Sequence, residues 1–325
     1  MKRISQLIYA SLFGCLLAPI TGKAAPNVVT DIPPVHALVA EVMQGVAEPS
    51  NVIRPGASPH GYSLRPSEAA ALEQADIVFW VGSELTPWLD RALANLSSEA
   101  QVVSLLRADG LTLHNFRDDG DDHDIQDTHS DHGHEHDDNQ DTHSEHGHDE
   151  HAHDGLDPHA WLDPVNAQVW LGLIAEILAA ADPANAAVYR ENAKQGQARL
   201  DTLITDIHAS LAPVADRPFI VFHDAYQYFE YRFGLNMAGS IALSDAREPG
   251  AARIAEIRQT VAERGAVCVF AEPQFNQSMV ETVLDGTAAS MGVIDPLGSA
   301  IPLGPDFYPT LIEEMGTSLA DCLTP

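Results

Sequence analysis

Two blocks of short apolar runs, each alternating with helical periodicity, organise the chain, and a long helical stretch lies between them. In the first block the strand-like runs are 27–32, 51–53, 76–82 and 101–105, with helical stretches such as 35–46 and 66–75. In the second they are 218–223, 237–242, 267–272 and 292–295, with helical stretches such as 250–264 and 278–291. Strands alternating with helices predict parallel sheets, here two of them. Between the blocks, Asp163-Pro164 reads as an N-cap followed by a first-turn proline. Asp182-Pro183 opens a second helix, in which Gly196 is the one breaker before Pro213. A helix over 184–211 spans about 40 Å at 1.5 Å per residue, which makes it a rigid connector and not a flexible hinge.

The expected fold is therefore α/β: two Rossmann-like (β/α) lobes, 26–182 and 214–325, joined by a connecting helix at 183–213. A length of 325 residues suits two domains better than one. The first 25 residues read as a cleaved export signal. Lys2 and Arg3 precede an apolar stretch over 4–20, and Ala24-Ala25 offers a small-residue cleavage point. Cleavage at Cys15 with lipidation is the competing reading of the same segment. The mature chain is expected in the periplasm as a soluble monomer. Cys268 and Cys322 then remain as an even pair in an oxidising compartment. A bridge between them closes a loop worth roughly 4 kcal/mol in the chain-entropy model. Two free thiols, with Cys268 packed in a strand, are the alternative.

One segment breaks the pattern. Residues 118–154 contain ten of the 16 histidines: His123, His129, His132, His134, His136, His143, His146, His148, His151 and His153. They also hold 15 acidic residues, no Lys or Arg and almost no large apolar residue. The stretch Asp127-Thr-His-Ser-Asp-His-Gly-His134 recurs as Asp141-Thr-His-Ser-Glu-His-Gly-His148. Such a composition cannot bury enough apolar surface to offset its ordering entropy, so a disordered loop inside the first lobe is expected. The formal charge of the whole chain is −30, which disfavours nucleic acid and anionic lipid and favours a cation as ligand. Histidines of ordinary pKa are mostly neutral at pH 7 and can ligate a metal, and the carboxylates around them concentrate cations. Because the loop must be ordered to bind, its sites are expected to be weaker than a preformed one.

Four residues outside the loop fall at matching topological positions. His60 follows the second strand, His159 lies just past the loop, and His223 and Asp295 each end a strand of the second block. Ligands of open parallel sheets bind beyond the carboxyl ends of the strands, so two half-sites can meet in a cleft between the lobes. Three imidazoles with a carboxylate or water suit a tetrahedral borderline cation, Zn²⁺ before Mn²⁺ or Mg²⁺. Trp161 and Phe222 flank these residues as candidate dry walls, while His36 and His208 read as structural or exposed.

The motifs Ser58-Pro-His-Gly-Tyr-Ser-Leu-Arg-Pro-Ser67, Asp157-Pro-His-Ala-Trp-Leu-Asp-Pro164, Phe222-His-Asp-Ala-Tyr-Gln-Tyr-Phe-Glu230 and Glu272-Pro-Gln-Phe275 make the chain resemble the ZnuA-type periplasmic zinc-binding proteins. The resemblance covers nearly the whole mature chain. It implies two α/β lobes on a long helix. It further implies Zn²⁺ as transported ligand, and as partners a membrane permease with its cytoplasmic ATPase, a periplasmic zinc chaperone being a further candidate. It matches His60, His159 and His223 to three histidine ligands and Cys268–Cys322 to a disulfide. Asp295 matches a carboxylate that ligates in some members and not in others. A residue matching His223 is usually Glu in manganese members, so His223 points to zinc. Pro59 and Gly61 flank His60 where some zinc members carry a carboxylate, which leaves the fourth ligand to Asp295, water or a loop histidine. Rival readings are a manganese-specific binding protein, a free-standing zinc buffer and a zinc enzyme. The last is disfavoured because no HExxH motif is present, and Glu272, Asp224 and Glu230 read as supporting carboxylates.

Overall fold

The computed structural model describes residues 24–117, 155–242 and 250–324. Residues 1–23 of the expected export signal and the ten loop histidines lie outside these residues. The first lobe runs β1 (Val28–Thr30), α1 (Pro33–Val42), β2 (Ser50–Asn51), α2 (Pro66–Glu73), β3 (Ile77–Trp80), α3 (Pro87–Leu96) and β4 (Gln101–Ser104). Its strands form one parallel sheet in the order β2-β1-β3-β4. Two helices follow, α4 (Pro164–Ala181) and α5 (Ala186–Leu211). The second lobe runs β5 (Phe219–His223), α6 (Gln227–Phe233), β6 (Met237–Ala242), α7 (Ala251–Arg264), β7 (Cys268–Ala271), α8 (Ser278–Leu284), β8 (Ser290–Val293) and α9 (Phe307–Leu323). Its parallel order is β6-β5-β7-β8.

All eight apolar runs become strands, but some boundaries move. The helix expected to reach 291 stops at Leu284, and Gly286 then adopts a left-handed φ of 76° that a side chain would resist. The last strand accordingly begins at Ser290 and ends at Val293. Asp295 therefore lies in the turn after β8 and does not end the strand. The first helix starts earlier than expected, at Pro33, where proline's missing N–H costs nothing. The cap of α4 is as its sequence suggests: Asp163 accepts a hydrogen bond from Val165 N at 2.8 Å, ahead of Pro164.

Helix α5, 26 residues long, spans about 39 Å. It packs against α1 and α4 and also against α9, so helices of both lobes rest on it. Helix α4 is long and apolar enough to cross a membrane by composition, yet half of it is buried here against α1 and α5, as in a core helix. One continuous cluster of buried apolar side chains runs through both lobes, and a smaller one lies behind the second sheet around Ile220, Ile241 and Val269. Polar groups also tie the lobes together. Trp161 Nε1 donates to Pro296 O at 2.8 Å, Tyr308 Oη donates to Trp161 O at 2.7 Å, and Arg232 holds Asp163 through two bonds of 2.6 and 2.7 Å. Cys268 and Cys322 form a disulfide that fastens α9 to β7, with Cα atoms 6.1 Å apart.

Gly196 has a packing role inside α5. A Cβ there would press on the buried carboxylate of Glu41 and on Leu171. Glu41 is 3% exposed and ion-paired with Arg199, yet burial outweighs that pair and pushes its carboxyl up to about 7. Alanine at 196 gains up to about 1 kcal/mol of helix propensity and loses ~1–3 kcal/mol to overpacking. We expect Gly196→Ala to lower thermal stability by a few degrees, where an exposed helical glycine would gain; differential scanning calorimetry checks the sign.

Candidate metal centre

Each candidate histidine is placed by a different element. His223 is the last residue of β5, so its side chain leaves the sheet at the carboxyl edge of the strand. His159 precedes a short 3-10 turn (Ala160–Leu162) that leads into α4. His60 sits in the connection between β2 and α2, a loop steadied by Trp88 Nε1 donating to Pro59 O at 2.7 Å and Tyr62 Oη donating to Glu68 at 2.8 Å. These three side chains line one cavity of about 10 Å³, together with Ser58, Pro59, Trp161, Glu272, Gln274, Phe275, Pro296 and Leu297. That volume suits a single ion or water.

The rings are close. His60 and His159 have centroids 5.7 Å apart, and His159 and His223 have centroids 5.5 Å apart. Two imidazoles bonded tetrahedrally to one zinc at about 2.05 Å would have centroids about 5.2 Å apart. Both measured separations exceed that by a few tenths of an ångström. Among the described residues, accordingly, no three His, Cys, Asp or Glu side chains are drawn into a closed metal cage.

Two of the rings are aimed by buried carboxylates. His159 Nδ1 lies 2.7 Å from Asp157 Oδ1, and His223 Nδ1 lies 2.7 Å from Glu272 Oε1. His159, Asp157, His223 and Glu272 are all at most 5% exposed. A carboxylate only accepts, so the neutral rings carry their protons on Nδ1 and their lone pairs on Nε2. This is how metal-ligating histidines are fixed in tautomer and orientation. Trp161 and Phe275 close the walls: Trp161 lies 5.2 Å from His159, and Phe275 meets His223 edge-on while stacking on Phe222. His36 is buried with Nε2 3.2 Å from Pro49 O, and His208 is exposed on α5, so neither joins the centre.

Asp295 is held by the turn that follows β8. Its Oδ1 accepts from Gln274 Nε2 at 2.8 Å and from the backbone of Leu297 and Gly298 at 3.0 Å each. Its Oδ2 accepts from the backbone and hydroxyl of Ser299. The side chain is spent on the turn after β8 and does not line the cavity. The orienting role of Asp157 and the contribution of Gln274 escape a reading based on ligand types alone. The Asp-Pro-His spacing was the available signal for the first, while nothing local marks the second.

The described residues on either side of 118–154 meet. Asn115 bridges Leu156, Phe116 N donates to Gly155 O, and Asp157 N donates to His114 O, both at 2.9 Å. Tyr228 Oη accepts from His114 N and donates to Asp157 O at 2.7 Å. The stem of the insertion is thus bonded directly to the residue that aims His159. Beside it, Arg117 reaches across to the second lobe and meets Glu230 at 2.9 Å and Asp224 at 3.8 Å. Burial raises Glu230 to about 7 despite Arg117, and burial likewise raises Asp224.

A pair of α/β lobes with ligand-type side chains around one cavity defines a two-lobed binding protein. The model of the ZnuA family, described as zinc-uptake complex component A, periplasmic, matches residues 28–322, and the chain belongs to that family. It is 44% identical over 336 residues to the high-affinity zinc uptake system protein ZnuA of Brucella suis, covering all of both chains. It is 41% identical to that of Paracoccus denitrificans, covering 99% of each chain. Among solved structures, one described as the crystal structure of ZnuA superposes with a TM-score of 0.71 at 22% identity, over 92% of this chain and 100% of that one. The laminin-binding adhesin of Streptococcus agalactiae, in a mutant form, gives 0.72 at 24% identity, over 92% of this chain and 100% of that one. These two likenesses establish the shared fold.

If the carboxylates aim the rings, neutral replacements should weaken metal binding without removing any ligand. Asp157→Asn and Glu272→Gln should each lower zinc affinity about 10–100-fold. Competition with a chromophoric chelator measures this, with circular dichroism as the check on folding.

Proposed function

We propose that the chain is the zinc-capturing component of an importer, holding Zn²⁺ between its lobes on His60, His159 and His223 and delivering it to a membrane permease driven by a cytoplasmic ATPase. The observation that carries this reading is the trio of rings around one small cavity, two of them fixed by buried carboxylates in the tautomer that presents Nε2. Membership of a family described as zinc-uptake and periplasmic supports zinc as cargo and export of the mature chain. Cleavage near Ala24–Ala25, the division into lobes 26–182 and 214–325 around a connector at 183–213, and a monomeric state belong to the same proposal. So does a secondary, weaker set of sites on the loop histidines from His123 to His153.

Three neutral nitrogen donors favour zinc over manganese, whose oxygen-rich preference this trio does not meet. The enzyme reading gains nothing from the site, since Glu272 is committed to His223 and Asp157 to His159. The deciding experiment is a zinc titration of the mature chain and of a variant lacking 118–154. One tight site should survive the deletion and only weaker sites should disappear. Loss of the tight site with the loop would overturn the assignment and leave a free-standing buffer in its place. Manganese should fail to displace zinc from the tight site.

A further inference from the structure

Gln274 lies in the wall of the histidine cavity, on the segment that follows β7. Its Nε2 donates to Asp295 Oδ1 at 2.8 Å. A carboxylate cannot donate, so the amide has one chemically consistent orientation: nitrogen towards Asp295, Oε1 turned away from it. That Oε1 is buried and has no hydrogen-bond partner among the described residues. Buried carbonyls are nearly always paired, with protein or with ordered water, so an orphaned acceptor in the wall of a cavity calls for a donor inside it.

We propose that Gln274 is a positioning residue of this site: its Oε1 holds the water that fills the fourth position of the captured ion, and Asp295 orients Gln274 instead of ligating. The proposal rests on the zinc reading above and specifies its missing ligand. Asp295 accepts five hydrogen bonds on two oxygens, from Gln274, Leu297, Gly298 and twice from Ser299. A carboxylate offers about four lone-pair sites, so this one is saturated. Swinging it onto the ion would strip the turn after β8 of its acceptor. A water on Zn²⁺ is polarised and donates strongly, and a neutral carbonyl accepts from it without adding charge. A zinc held by three imidazoles and one exchangeable water is also suited to cargo, because an incoming ligand can replace the water before any histidine lets go.

The test uses the mature chain loaded with Co²⁺ as a visible probe and Zn²⁺ for affinity. Azide should displace the water and shift the Co²⁺ absorption of the wild type. Gln274→Met, similar in shape but without the acceptor, should bind zinc about 10-fold more weakly and should lose the azide response or alter its midpoint. Gln274→Glu keeps an acceptor oxygen and should bind zinc better than Gln274→Met. Were Gln274 only a brace for Asp295, the glutamate would be the worse variant, since it places like charges together. No azide response in the wild type, unchanged zinc binding in Gln274→Met, or Gln274→Glu ranking below Gln274→Met would each overturn the proposal. If Gln274→Met does not fold, the wild-type azide titration and Gln274→Glu, set against the wild type, still decide. Histidine variants separate this from the zinc reading: if His159→Ala and His223→Ala keep tight zinc binding, the site itself is wrong. If they lose it while azide does nothing, the water alone is wrong.

Discussion

His223→Ala should lower the affinity for Zn²⁺ roughly 10²–10³-fold and leave the fold intact. The magnitude follows from dividing the ~10–16 kcal/mol of a four-ligand zinc site among its ligands, about 2.5–4 kcal/mol each, with 1.4 kcal/mol per tenfold. His159→Ala should match it, because both rings are buried and fixed by carboxylates before any ion arrives. His60→Ala should cost less. Its loop is half-exposed, so part of its contribution is already spent on ordering on binding. The ranking His223 and His159 above His60 is the sharp part of the expectation. Isothermal titration with chelator competition measures it, and equal losses at all three positions would contradict the idea that the carboxylates preorganise two of them.

Arg117→Met should destabilise the metal-free protein in a strongly pH-dependent way. Arg117 is the cation beside Glu230 and Asp224, and it joins the first lobe to the second next to the cleft. Removing one partner of a buried ionic cluster costs about 3–5 kcal/mol when the remaining charge cannot be neutralised. Here it can be, by protonation. Glu230 stands at about 7 in the folded chain, above its ordinary value of 4.5, because it is buried. A raised carboxyl contributes stability that is fully present below its unfolded pKa and is lost as the pH rises through the folded one. The loss of Arg117 pushes Glu230 higher still. At pH 5 the variant should lose about 1 kcal/mol or less, and at pH 8 about 3 kcal/mol, read by urea unfolding at the two pH values. A pH-independent loss would mean that Arg117 acts through packing of its stem and not through charge.

The sequence by itself determined a great deal. Alternation of apolar runs with helical periodicity is local information, and it placed eight strands in two blocks around α5 within a few residues. Histidine at the end of an apolar run marks a position at the carboxyl edge of a parallel strand, so His223 was legible as a candidate site residue from residue order alone. The composition of 118–154 marked it as a candidate cation trap without any fold at all. Where reading went astray, the reason was conformational: a left-handed Gly286 ended α8 early and moved β8 by two residues, which carried Asp295 off the strand and into a turn.

Only the tertiary structure decided which groups support the histidines. Asp157 stands two residues from His159, but His223 meets Glu272 across 49 residues, and the ion pairs that join the lobes span more: Asp163 with Arg232 across 69, Arg117 with Glu230 across 113. No periodicity encodes such partners, because they meet through the order β6-β5-β7-β8 and the packing of both lobes on α5. The same holds for Asp295, whose residue type allows ligation and whose surroundings consume its oxygens. Ligand chemistry is a property of side chains and can be read in one dimension. Tautomer, aim and competition for a lone pair are properties of neighbours, and neighbours are settled by the fold.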